Sequence, residues 1–443
     1  MNETVYHITV LSNFARGYDK YRRVYTKTGI PESAYPDRFY VLREDELAIG
    51  VRKAGALLTK LNLPGNRLIA LRTSLPPAGL QPNERNGLGR VWPHRDLPLE
   101  AVCDVQECAE EFCAVPIPLE DAAADSLRLL RGDLMTYESL QPRTVSVLPI
   151  ARGCQAACPF CFSDASVSAA QEQGKVDFER VEKILHAGKL QGASRAVITG
   201  GGEPTLLREE PMRELIGSCA REFKKVVLIT NGYRHAHMEE ARCIEALAGL
   251  ARAGLSVLNV SRHHHDETRN TAVMKLATAS GRLASVWQRH REQFPALGFR
   301  LTCVLQRGGI EDAQRVRDYV AWAASLGVPE ICFKELYVST SRESVYHSAS
   351  ANEWAAQHQV PLALVTDFAA EHGFREVTRL PWGAPVFRGE CNGREIAIAA
   401  YTEPSLFWER THGIARSWNL MADGRCLVSL EDRASEIQVP LAA

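Results

Sequence analysis

The sequence predicts an α/β protein: a partial parallel (β/α)6 barrel with an α+β accessory region before it and an extension after it. From Thr144 onward, short apolar runs alternate with longer amphipathic stretches. Repeated strand–helix–strand units of this kind imply parallel pairing through right-handed crossovers. The residues with chemical character, a cysteine run and a glycine run among them, follow the apolar runs. In a parallel barrel those positions are the C-terminal strand ends, where sites gather.

Residues 1–135 are expected to form the accessory region. Tyr18, Tyr21, Tyr25 and Tyr40 stand among basic residues and predict a packed cap rather than a binding surface. Phe39–Leu42 and Arg67–Arg72 read as short strands around a helix over Lys53–Leu61. The Pro, Gly and Asn breakers of Leu75–Arg90 read as a loop. Cys103, Cys108 and Cys113 recur at intervals of five. Such a step turns a helix by about 500°, so consecutive thiols would not share a face. The expectation is buried or incidental thiols rather than a second metal site.

Residues 140–340 are expected to hold the barrel. Strands are predicted at Thr144–Ile150, Arg195–Thr199, Lys225–Thr230, Leu255–Ser261, Arg300–Leu305 and Glu330–Leu336. Helices are predicted between them at Asp177–Lys189, Glu210–Phe223, His235–Ala253, Glu267–Phe294 and Glu311–Leu326. No seventh unit is clear. Residues 341–443 form the extension, with a helix within Ala351–Gly373 and a strand over Ile396–Tyr401. A β-hairpin over Ser417–Ser429 has Asp423 and Gly424 in its turn.

Cys154, Cys158 and Cys161 form a C-x3-C-x2-C run just after the first predicted strand. Three thiolates so close in sequence can wrap one small inorganic centre. Iron–sulfur cubes normally take four Cys ligands, so three leave one iron open, and an open metal position points to chemistry. Structural zinc is the competing reading, although closed zinc sites favour four ligands in paired motifs. An odd set of thiols, in a chain whose first residues do not read as a secretory leader, argues against disulfides.

The same loop has Phe160 ahead of its last Cys. After the next strand comes Gly200-Gly201-Gly202-Glu203-Pro204, and then Thr230-Asn231-Gly232. Over roughly residues 144–336 this combination resembles the radical S-adenosylmethionine (radical SAM) superfamily. The resemblance implies a radical SAM-type partial barrel, a [4Fe–4S] cluster on the three cysteines, and SAM chelated to the open iron. Reductive cleavage of SAM then gives a 5′-deoxyadenosyl radical that takes hydrogen from a substrate. It further implies that backbone in the glycine run receives the SAM amino group, with Glu203 helping to hold it and Pro204 stiffening the exit, and that Phe160 lies near adenine. The branch is similar to molybdopterin-pathway and peptide-maturation members, whose tails carry extra clusters. Only Cys391 and Cys426 occur in this tail, too few for a complete one.

Other strand-end residues supply candidates. Ser261 and Arg262 end the fourth strand, and a guanidinium there would suit the SAM carboxylate. Thr230 and Asn231 are candidates for ribose, although Asn-Gly is also a turn signal. Leu305 and Gln306 end the fifth strand, where the family often contacts adenine. His263, His264 and His265 form a consecutive tract. Neighbours in an extended segment point opposite ways, which favours substrate or hydrogen-bonding roles over a shared ion. Lys334 and Glu335 close the sixth strand and either face substrate or form a structural ion pair; with Arg262 they are the catalytic candidates.

The 45% hydrophobic and 24% charged composition suits a globular protein of two or three domains. A net charge of −1 gives no footprint for nucleic acid. No apolar run approaches the ~20 residues needed to cross a bilayer. The expectations are a cytoplasmic enzyme without nucleic-acid or membrane partners, acting on a small metabolite or peptide. An electron donor such as flavodoxin or ferredoxin would serve it. The alternative is a zinc-stabilised binding protein, which leaves the glycine run unexplained.

Overall fold

The computed structural model describes residues 2–11, 14, 23–25, 39–61, 65–83, 89–93, 96–108, 111–129, 134–162, 166–168, 175–339, 344–346, 348–404 and 406–439. Tyr18 and Tyr21 lie outside these residues. The chain divides into two compact units, Met1–Met135 and Thr136–Ala443.

The first unit is built on an antiparallel sheet of β1 (Glu3–Val10), β2 (Leu68–Leu75), β3 (Ala101–Cys108) and β4 (Glu111–Ile117), in that spatial order. Helices α1 (Leu47–Leu61) and α2 (Leu119–Leu129) accompany it. Alternation along the strands buries both faces: Val5, Ile69, Leu71 and Val102 join one apolar cluster, and Tyr6, Ile8, Ala70 and Cys103 the other. The segment around Cys103 is therefore a hairpin, and the helical geometry considered for its thiols does not apply. Cys103 opposes Pro116, and Cys113 opposes Gln106. Within Leu75–Arg90 the described residues carry a 3-10 turn, Pro77–Gly79, and a short strand, Gln81–Pro82, rather than an unbroken loop.

The second unit alternates strand and helix. In chain order it runs β5 (Val145–Val147), α3 (Phe178–Leu190), β6 (Ala196–Ile198), α4 (Glu209–Glu222), β7 (Val226–Thr230) and α5 (Glu240–Arg252). It continues with β8 (Val257–Ser261), α6 (Glu267–Met274), α7 (Ser280–His290), β9 (Gly298–Val304), α8 (Ala313–Ser325) and β10 (Glu330–Lys334). After these come α9 (Ser350–His358), α10 (Ala363–Glu371), β11 (Arg375–Arg379), β12 (Pro385–Cys391), β13 (Arg394–Tyr401), β14 (Trp418–Leu420) and β15 (Cys426–Leu427).

One sheet holds every one of these strands, in the order β11-β12-β13-β10-β9-β8-β7-β6-β5-β14-β15. From β13 through β14 all neighbours are parallel. The segment after residue 340 thus adds a parallel strand at each end of the six. The sheet is open: the antiparallel strands β12 and β11 extend it on one side, with β11 at the edge, and antiparallel β15 forms the other edge. Leu258, Val260, Phe299, Leu301, Ile331 and Phe333 point into the core with the helices. Alternation turns Thr144, Ser146, Asn259, Thr302 and Asn419 to the concave face. There Thr302 Oγ1 donates to Asn259 Oδ1 at 2.9 Å, and Ser417 Oγ to Ser146 Oγ at 2.7 Å.

Two predicted helices are interrupted. His235–Ala253 divides into a short turn of helix, Tyr233–Ala236, and α5. Glu267–Phe294 divides into α6 and α7, because Lys275 and Ala279 take left-handed backbone conformations with φ of 55° and 50°. Glu267 braces that break by accepting the Ala279 N–H at 3.2 Å.

Candidate functional site

The loop that follows β5 carries the three cysteines. Gly153 has φ +104°, a conformation that glycine tolerates and other residues avoid, and it turns the chain into the cysteine run. Cys154 and Cys161 are exposed and Cys158 is half-buried. Partial desolvation raises the Cys154 thiol above its ordinary range. Burial, with Cys161 and Cys154 nearby, pushes Cys158 up to about 12. Cationic metal reverses this balance, since a coordinated thiol ionises. Cys154 Sγ accepts from the Ala156 N–H at 3.4 Å and from Asn231 Nδ2 at 3.7 Å. Among the described residues, no three His, Cys, Asp or Glu side chains form a group suited to a single metal ion.

The glycine run interlocks with this loop. A Cβ on Gly202 would fall 1.9 Å from the Gly153 carbonyl oxygen, and one on Gly201 would fall 2.3 Å from that of Ser166. The next residue, Glu203, donates its N–H to the same Gly153 oxygen at 2.8 Å. Only glycine lets the two backbones approach so closely, which leaves peptide groups rather than side chains lining the approach to the cysteines.

Glu203 is 3% exposed and is a bracket. Its Oε1 accepts from Thr205 N at 3.0 Å, from Thr205 Oγ1 at 2.6 Å and from Thr230 Oγ1 at 2.6 Å, and its Oε2 accepts from Asn231 N at 2.8 Å. The carboxylate, expected to help hold a ligand amine, ties the ends of β6 and β7 together. Pro204 is buried and opens the short 3-10 turn Pro204–Leu206. Thr230 and Asn231, the ribose candidates, are likewise engaged. Thr230 Oγ1 also accepts from Gly232 N at 3.0 Å, while Asn231 reaches Gln155 Oε1 at 3.1 Å and accepts from Tyr233 N at 2.9 Å.

Arg262 departs furthest from expectation. It is 1% exposed, and its donors are spent on the loop that follows it. Nε donates to the His264 carbonyl at 2.6 Å and Nη2 to that of His265 at 2.7 Å. Nη1 pairs with Glu267 and lies 3.3 Å from Ser280 Oγ, and the guanidinium sits over the Trp322 ring. A fork of fixed donors organises the loop from within. Ser261, just before it, is half-buried on the concave face.

The loop so organised places the histidines differently from an extended segment. His263 Nδ1 accepts from Val304 N at 3.0 Å, and its ring meets Phe160 edge-on at 5.0 Å. His264 and His265 rings lie 4.4 Å apart, facing one another because Arg262 gathers both carbonyls. Burial depresses His263 to about 3 and His264 to about 4, so both are neutral near neutral pH.

Phe160 is half-buried between His263 and Trp354 of α9, the latter 5.9 Å away. Gln306, after β9, is 1% exposed, and neither its Oε1 nor its Nε2 has a partner among the described residues. A buried amide with both a donor and an acceptor unmatched is costly unless a ligand or water completes it. Lys334 joins Glu403 at 2.5 Å, and Glu335, just beyond the strand, is buried. Sequence reading missed Trp354, Glu403 and Arg416, all from the last hundred residues. No local motif marks them: Trp354 reaches Phe160 from α9, and Glu403 and Arg416 are placed by the long-range pairing of β13 and β14.

Residues 148–291 match the family model for the radical SAM superfamily. No curated protein matches the chain. Among solved structures, Streptococcus suis SuiB bound to S-adenosylmethionine shares 17% identity at a TM-score of 0.42, over 70% of this chain and 64% of that one. Coproporphyrinogen III oxidase (HemN) from Escherichia coli, described as a radical SAM enzyme, shares 14% at a TM-score of 0.37, over 56% of each chain. This chain thus spans less than two thirds of either protein.

Proposed function

Residues 148–291 belong to the radical SAM superfamily, and from that premise we propose that this chain is an enzyme that cleaves S-adenosylmethionine reductively and abstracts hydrogen from a small-metabolite or peptide substrate. Members of the superfamily bind a [4Fe–4S] cluster and SAM, and they take a substrate and a reductant. In our reading Cys154, Cys158 and Cys161 hold the cluster. When bound, the pair of cofactors supplies the electron and the carbon radical that the chemistry needs.

The observation that carries this reading is the interlock of the cysteine loop with the glycine run through Gly153, Gly202 and Glu203. It sets two exposed thiols and one half-buried thiol beside bare peptide backbone, a surface suited to a polynuclear centre and an amino-acid ligand together. The fit extends to Gln306, whose unmatched amide suits a nucleobase edge, and to Phe160, whose half-buried ring offers an apolar face. The chain's own residues hold the loop, exclude water beneath it and orient the ligands. Arg262, Glu203, Thr230 and Asn231 act as positioning residues in this scheme. A flavodoxin or ferredoxin would deliver the electron. Free thiols and an oxygen-sensitive cluster favour a reducing compartment such as the cytoplasm.

Anaerobic reconstitution with iron and sulfide tests the reading. The expected result is a brown protein with four irons per chain that forms 5′-deoxyadenosine from SAM on reduction with dithionite. Cys158→Ala should lose both properties. A colourless, air-stable protein containing zinc would overturn the reading in favour of a zinc-stabilised binding protein.

A further inference from the structure

The whole chain is close to neutral, with a net charge of −1, yet the concave face of its parallel sheet is cationic. Core-facing neighbours on their strands turn Arg300 and Lys334 to this face, and Arg195 and Lys225 precede β6 and β7 in the same alternation. Arg416 stands just before β14. Glu330 pairs with Arg300, Glu403 pairs with both Lys334 and Arg416, and Glu409 accepts the Arg416 backbone N–H. Among the described residues, Arg195 Nε donates to a neutral partner, Thr144 Oγ1 at 3.1 Å, and the buried Nε of Arg143 has none. Desolvation depresses both Arg195 and Lys225, and the neighbouring Arg300 adds to it. A low-dielectric concavity with surplus positive charge focuses field on anions.

The surplus is best presented where Lys334 and Tyr401 end neighbouring strands. Lys334 Nζ lies 2.5 Å from Glu403 Oε1 and 5.7 Å from the centre of the Tyr401 ring. Arg416 Nη1 takes the other oxygen of the same carboxylate. The Glu403 side chain is 10% exposed, but Lys334 is 31% exposed and Arg416 29%. Arg416 also hydrogen-bonds the Tyr401 side chain. Lysine has three donors and arginine five, so donors remain on both beyond these partners.

We propose that Lys334 and Arg416, held at a fixed spacing by Glu403, anchor a carboxylate group of the substrate. This names a substrate class within the radical SAM reading above and rests on it. A carboxylate fits better than a neutral group because these cations already accommodate one between them.

Equilibrium dialysis of the full-length reconstituted protein with radiolabelled glutarate tests the proposal, with glutaramide as the neutral isostere. Wild type should retain glutarate and not glutaramide. Arg416→Gln and Lys334→Gln should each bind glutarate about tenfold more weakly, as loss of a charge-assisted hydrogen bond predicts. Glu403→Gln should bind it more tightly, because it removes the competing carboxylate and keeps both cations. Arg208→Gln, at an exposed helix start, should match wild type. Circular dichroism establishes that each variant is folded. No glutarate retained by wild type, equal retention by Arg416→Gln, or weakening by Glu403→Gln would each overturn the anchor. Iron content and SAM binding are measured on the same samples. If these fail while the charge-dependent pattern of glutarate binding holds, the radical SAM reading falls and the anion site stands.

Discussion

Asn231 Nδ2 approaches Cys154 Sγ at 3.7 Å, a contact between the end of β7 and the first thiol of the loop after β5. The amide is fixed for this contact by three further bonds, from its own N–H to Glu203, from Nδ2 to Gln155 and to Oδ1 from Tyr233 N. A hydrogen bond to a ligating sulfur disperses its negative charge and favours the reduced cluster. Asn231→Leu should therefore lower the cluster's midpoint potential while leaving iron content near that of wild type. A redox titration followed by electron paramagnetic resonance checks this, and an unchanged potential would show that the contact has no electronic role.

Gly202→Ala should fail to retain iron. The added Cβ would stand 1.9 Å from the Gly153 oxygen, far inside contact distance, and the obstacle is backbone rather than a movable side chain. Relief requires displacing the turn that leads into Cys154. Iron and sulfide analysis after anaerobic reconstitution reads the effect. Gly217→Ala, where the nearest atom is a flexible Arg221 nitrogen 4.0 Å away, serves as the tolerated control.

Glu203→Gln should destabilise the second unit by about 1–3 kcal/mol, the cost of facing a buried donor with another donor. The four groups around the carboxylate are two backbone N–H groups and two hydroxyls. The hydroxyls can rotate to accept, but the Thr205 and Asn231 N–H groups cannot. Urea denaturation of the wild-type and variant proteins measures the difference, and equal midpoints would contradict the bracket role.

The parallel core and its mouth were legible in the sequence because their signals are local. Val226–Thr230 and Val257–Ser261 are apolar runs of strand length, and Cys154, Gly202 and Gln306 follow such runs directly. The roles of individual polar groups were less legible. Arg262 sits where a ligand-binding arginine is expected, but its side chain turns inward to carbonyls only two and three residues ahead. Sequence spacing does not encode that choice. The parallel strands β13 and β14 also escaped notice as partners of the barrel, since their pairing with β10 and β5 spans tens to hundreds of residues. The break between α6 and α7 lacks glycine or proline, so no helix-stop signal announced it.

Stability should fall as pH drops from about 6.5 toward 4, and His264 should account for part of the fall. Burial holds this imidazole neutral, with its pKa lowered to about 4, and Nδ1 accepts the Asp266 N–H at 2.9 Å. In the unfolded chain the same group protonates near 6.5. Between the two values the unfolded state binds more protons, so unfolding becomes easier as pH falls, by up to about 1.4 kcal/mol per unit for one such group. His264→Asn keeps a side-chain acceptor and removes the titration. Its unfolding free energy should depend less steeply on pH than wild type across this window. Parallel slopes in urea titrations at pH 7 and pH 5 would rule out the contribution.

Arg262→Lys should be more damaging than its conserved charge suggests. The guanidinium reaches two carbonyls, the Glu267 carboxylate and Ser280 Oγ from a single buried plane, and it lies 4.9 Å from the centre of the Trp322 ring. An ammonium is a compact point charge and cannot span those directions. At least one of the His264 and His265 carbonyls would lose its partner, and Glu267 would lose the cation that helps brace the start of α7. Breaking a buried ion pair costs about 3–5 kcal/mol, though the partial exposure of Glu267 places the expected loss toward the lower end. Arg262→Met removes the buried charge as well as its bonds and separates packing from hydrogen bonding. If the arrangement is correct, Arg262→Lys lowers the unfolding midpoint and raises amide exchange across residues 262–280, while exchange in β6 stays as in wild type. Wild-type exchange throughout that segment would mean that the loop holds its shape without the arginine.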